Sequence, residues 1–143
     1  MSLEDWLRAA KIIKHKTSRE EIEAVFGVVE RNLKDAALKG LSSDQKYIQS
    51  YQAAFEASLA LLYHNGYKPV KSGGHHTVVW QCMREILEPE QQSTILLFEN
   101  AAKKRSKMSY DMAGIASQKE ADEMYEEARS FTVLIRSMIG TMN

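Results

Sequence analysis

Apolar residues recur at intervals of three and four through nearly the whole chain, a period that only helices convert into a single buried face. One segment aligns Ile22, Val25, Phe26, Val29, Leu33 and Ala36. A second aligns Ile48, Tyr51, Phe55, Leu59 and Leu62, with Ala53, Ala54, Ala57 and Ala60 widening the stripe. Val78, Val79, Cys82, Met83, Ile86 and Leu87 form a third, and Ile95, Phe98 and Ala102 a fourth. Ala121, Met124, Ala128, Phe131, Ile135 and Met138 form the last. Only two prolines and seven glycines interrupt 143 residues. The sequence therefore predicts an all-α, antiparallel four-to-five-helix bundle with no sheet.

Punctuation supports the same division. Ser18 with Glu21 and Ser117 with Glu120 have the spacing of capping boxes, in which a hydroxyl takes one orphan amide and a carboxylate another. Ser42 and Ser43 are both suited to cap the second long helix. Gly40 and Asn65-Gly66 read as stops, Ser72-Gly73-Gly74 as a hinge, and Glu88-Pro89 as a break. Residues 1–16 read as a short amphipathic lead carrying Trp6, Leu7, Ile12 and Ile13, and residues 17–143 as one bundle domain.

Bulk properties narrow the function classes. Formal net charge is zero, so a contact with a polyanion must come from a local patch. A single cysteine rules out an internal disulfide and suits a reducing cytosol. The N-terminal residues lack the apolar run of a signal peptide, and no run reaches membrane length. The expected setting is cytoplasmic, away from membranes.

The strongest local patch is Lys103-Lys104-Arg105-Ser106-Lys107-Met108-Ser109-Tyr110-Asp111. Arg105 offers a planar fork for a phosphate, and Lys103, Lys104 and Lys107 add point charges. Tyr110 can donate or accept a hydrogen bond, and Asp111 accepts. Cations in the last turn of a helix also complement its dipole, which is the structural alternative. A second patch, Lys71-Ser72-Gly73-Gly74-His75-His76, joins flexible backbone to a helix start whose N–H groups suit an anion. Alternatively its glycines only shape an interhelical turn. Adjacent histidines diverge by about 100° on a helix, so no metal site is expected. Glu30 with Lys34 and Arg31 with Asp35 read as solvated pairs, and Cys82 as buried and inert.

Several stretches in order carry a resemblance: residues 30–36, Tyr51-Gln52-Ala53-Ala54, Gly66-Tyr67-Lys68-Pro69, residues 72–76, and Lys103 to Tyr110. Together they resemble a bacterial branch of the HEPN superfamily, over about residues 17–140. The resemblance implies a helical bundle, commonly dimeric, and RNases or their inactive relatives in toxin–antitoxin and defence systems. Many such proteins pair with a minimal nucleotidyltransferase. The superfamily's nuclease motif is Arg, four to six residues, then His, and it acts without a metal or other cofactor. Arg105 matches the Arg, whereas Tyr110 stands at the His position. The resemblance therefore implies either an RNA- or nucleotide-partner-binding protein, with a metal-independent endoribonuclease as its enzymatic form, or a non-catalytic dimeric interaction module. On the first alternative Arg105, Tyr110 and Asp111 are the catalytic candidates. Lys71, His75, His76, Lys103, Lys104 and Lys107 are the phosphate-binding ones. A small-molecule-binding bundle is a third alternative and would need an apolar pocket between the helices.

Overall fold

The computed structural model describes residues 1–71, 74–110 and 113–140, with residues 108–110 described by their backbone alone. It is a mainly helical molecule. Helix α1 spans Leu3–Arg8, α2 Arg19–Ala36, α3 Ser43–His64, α4 His75–Ile86, α5 Gln92–Tyr110 and α6 Gln118–Ile139. A 3₁₀ turn, Pro89–Gln91, leads into α5. Among the described residues no helix is long and apolar enough to cross a membrane.

Helix α3 is the spine, packed along both α2 and α6, with α4 and α5 also against it. The α2–α3 link is residues 37–42, so two helices packed along their length over so short a connection must run antiparallel. Ala53, Ala54, Ala57 and Ala60 are fully buried, and their small side chains let α3 take neighbours on several sides. The core around them holds Phe26, Val29, Trp80, Ile95, Phe98, Met124, Phe131 and Ile135.

The expectation of no sheet is corrected by a two-stranded antiparallel ladder, β1 (Ile12–Lys14) with β2 (Tyr67–Pro69). Three residues per strand are too few to show an alternating pattern in sequence. Ile12 faces the core and is fully buried, whereas Ile13 is 42% exposed, as a pleated strand requires. Gly66, at φ +93, turns the chain out of α3 into β2, a conformation that L side chains rarely adopt.

The helix starts follow the serines with one difference. Ser117 and Glu120 form a complete capping box, and so do Ser2 and Asp5. At α2 only half of the expected box exists. Ser18 accepts from the Glu21 amide at 3.1 Å, but the Glu21 carboxylate turns away to the Thr17 hydroxyl and His15 Nε2, each at 2.6 Å. Ser42 is the cap of α3, while Ser43 donates to the Ala116 carbonyl at 2.7 Å. Helix α2 ends at Ala36, ahead of Gly40.

Candidate functional site

The N-terminus of α4 and the outer face of α5 enclose a cleft of about 720 Å³. His75, His76, Thr77 and Trp80 line it from α4, and Asn100, Lys103, Arg105 and Ser106 from α5. The two patches that the sequence offered separately therefore meet in one place. Gly74, at φ +85, caps α4 without a side-chain hydrogen bond, so the first-turn amides take no side-chain acceptor from the cap residue.

Beneath the cleft, aromatic groups fix one histidine. His76 stacks on Phe55 with ring centroids 3.8 Å apart and planes 9° from parallel. Its Nδ1 lies 2.7 Å from the Tyr51 hydroxyl, which accepts from Trp80 Nε1–H at 3.0 Å. Tyr51 and Trp80 are fully buried. The phenolic hydrogen needs an acceptor there, and His76 Nδ1 supplies one. The chain Trp80 to Tyr51 to His76 satisfies all three groups when His76 is neutral and carries its proton on Nε2. Burial, the Arg105 charge and His75 all work against protonation and hold His76 down to about 4. Burial also raises Tyr51 well above its ordinary value, against the opposing pull of the Trp80 hydrogen bond and the Arg105 charge, so its hydroxyl stays a donor at neutral pH.

Other candidates sit elsewhere. Lys104 turns away from the cleft, paired with Glu120 and placed 5.3 Å above the Tyr47 ring, so it ties α5 to α6. Its neighbours on the helix point about 100° to either side, which is how three consecutive cations divide between site and scaffold. Lys71 lines an adjoining groove with His75. Lys107 is exposed on α5 and does not line the cleft. The Tyr110 side chain and Asp111 lie outside the described residues. Among the described residues Glu99 is the one acid at the cleft wall, and it is paired with Arg84. What remains presents positive charge and hydrogen-bond donors, a lining suited to an anion.

Sequence reasoning missed Tyr51 and Trp80 as supports of the site, because Tyr51 falls on an apolar stripe where packing accounts for it and nothing local sets Trp80 apart from a core residue. Cys82 is buried and its thiol is pushed up to about 12 by burial and Glu85, which keeps it protonated and inert. Among the described residues no group of three or more His, Cys, Asp or Glu side chains is placed to hold a metal ion.

The family model described as SAV_6107-like HEPN matches residues 37–136, which span α3 to most of α6 and contain every residue of the cleft. No curated protein and no solved structure matches the chain.

Proposed function

The chain belongs to the HEPN superfamily, and on that premise we propose that it binds RNA through the cleft between α4 and α5. The observation that carries the reading is that Arg105 and Lys103 line the same cleft as His75, His76 and the N-terminus of α4. Arg105 presents a fork to two phosphate oxygens, and Lys103 adds charge at the rim. The α4 amides and the Nε2–H of neutral His76 supply donors without adding net charge. A molecule of zero net charge would bind RNA through such a concentrated patch. Family membership further supports a homodimer working in a toxin–antitoxin or defence locus, with a nucleotidyltransferase as its protein partner.

A second reading, metal-independent cleavage, is favoured by the nearness of both histidines to Arg105. In that chemistry the RNA 2′-hydroxyl attacks its own phosphate and the 5′-hydroxyl leaves. Arg105 would steady the phosphorane. His76 is held neutral as a donor by its place on Tyr51, and His75 would be the group that moves protons.

Arg105→Ala tests the binding reading. Arg105 lies beyond the apolar stripe of α5, so its loss should change stability by less than about 1 kcal/mol, as for most substitutions outside a core. Affinity for single-stranded RNA should drop at least tenfold, with a shallower salt dependence because one phosphate contact is gone. An unchanged affinity in the folded variant refutes the assignment. Incubating RNA with wild type and Tyr110→His in chelator tests the second reading, whose expected product carries a 2′,3′-cyclic phosphate.

A further inference from the structure

Next to the cleft lies a groove of about 600 Å³ lined by Ile13, Leu59, Tyr63, Lys68, Pro69 and Lys71, with His75 shared between the two. Its surface is unusual for a solvent-facing hollow. Ile13 stands 42% exposed on the outer face of β1, paired in register with Lys68. The fold has no need of an aliphatic side chain there, since Ile12 already anchors the strand in the core. The Tyr63 ring forms one wall and is held by the His15 ring, with centroids 5.0 Å apart and planes 59° from parallel. Lys68 and Lys71 line the groove beside these apolar residues.

An apolar, partly aromatic floor beside two cations matches a nucleotide's mixed chemistry: a flat base with apolar faces and a charged phosphate link. We propose that this groove is a base-binding subsite, taking one unstacked base of the same RNA strand whose phosphate occupies the Arg105 cleft. The inference rests on the RNA-binding reading above. The strand passes His75, which borders both hollows, and its next phosphate meets Lys68 and Lys71. A base enters such a groove only when its faces are exposed, so the preferred ligand is single-stranded RNA; a duplex keeps its bases stacked.

The experiment compares wild type, Tyr63→Leu and Ile13→Ser by fluorescence anisotropy, each first checked for a wild-type circular dichroism spectrum and melting curve. The probes are a labelled eight-nucleotide single strand and the matching duplex, with inorganic phosphate as a competitor that carries no base. Wild type should bind the single strand at least tenfold tighter than the duplex. Tyr63→Leu keeps apolar volume but removes the ring, and should weaken the single strand about tenfold, within the range for losing one base–aromatic stack. Ile13→Ser should weaken it in the same direction, by less. Neither change should alter competition by inorganic phosphate or the salt slope of the octamer, because the phosphate contacts remain.

The subsite is overturned if Tyr63→Leu binds the octamer like wild type, or if duplex and single strand bind equally. With Arg105→Ala still impaired, that failure leaves the RNA-binding reading standing. If wild type binds neither RNA, both fall together. If the groove instead takes an apolar peptide in preference to the octamer, and Tyr63→Leu loses the peptide, the groove belongs to a protein partner and the subsite is likewise overturned.

Discussion

Three side chains decide what the cleft can offer a ligand. Tyr51 has one hydroxyl between two ring nitrogens, and its placement determines which nitrogen of His76 carries the proton. Tyr51→Phe removes that hydroxyl and leaves Trp80 Nε1–H and His76 Nδ1 without it. The cost should be about 1–3 kcal/mol for stranding buried polar groups. Nitrogen NMR should show wild-type His76 neutral at pH 7 with the proton on Nε2, titrating near 4; the ordinary histidine value is 6.5. In Tyr51→Phe the midpoint should move upward, because a hydrogen bond that favours the neutral ring is gone. The linkage has a definite sign. The folded value lies below the unfolded one, so between about 6.5 and 4 the unfolded chain binds the proton and the folded chain resists it. His76 therefore costs the fold nothing above 6.5, and stability falls as the pH is lowered through that window. A wild-type midpoint above 6 would contradict the whole arrangement.

Helices carry these residues, and their ends are where the sequence was most and least legible. Stripe residues such as Ile22, Phe26, Val29, Met124, Phe131 and Ile135 are buried as their spacing predicts, because burial of an amphipathic helix is written in period 3.6. Met138 departs, standing 40% exposed near the end of α6, where Ile139 turns inward instead. The cleft was legible only in pieces. Arg105 and the His75-His76 pair are 30 residues apart in sequence, and nothing local states that α4 and α5 bring them together. A tertiary clamp was equally hidden. Asp44, in the first turn of α3, accepts from the amides of Gly114 at 2.6 Å and Ala116 at 2.8 Å, fixing the entry to α6. Asp44→Ala should cost about 1–2 kcal/mol, for two bonds to a charged acceptor that remain partly in water. Hydrogen exchange at Gly114 and Ala116 should quicken, while amides in the middle of α3 keep their protection at native pH. Unchanged exchange at both amides would show that the carboxylate does not hold this link.

At the scale of the whole molecule, the dimer that the resemblance implies needs an exposed face to form on. The alanines of α3 are spent inside the bundle, and Phe131 is only 2% exposed, so neither supplies that face. A different face carries the dimer prediction. Val133 is 67% exposed on α6, beside a shallow groove of about 460 Å³ lined by Phe26, Val29 and Leu33 of α2. Charges of both signs surround it, with Glu30 on α2 and Arg129 and Arg136 on α6. The Arg136 guanidinium lies 4.4 Å from the Phe26 ring centroid and 2.8 Å from Glu23. A two-fold axis through such a face can set α2 acids of one copy against α6 arginines of the other, around an apolar centre. No residue of this groove lines the cleft between α4 and α5, so association and RNA binding should be separable. Sedimentation at micromolar concentration should give a dimer for wild type and a monomer for Val133→Glu, which places an unpaired charge at that centre. The monomeric variant should still bind a nucleoside monophosphate in the Arg105 cleft with wild-type affinity. A monomeric wild type would refute the dimer, and a Val133→Glu variant that remains dimeric would move the interface to another face.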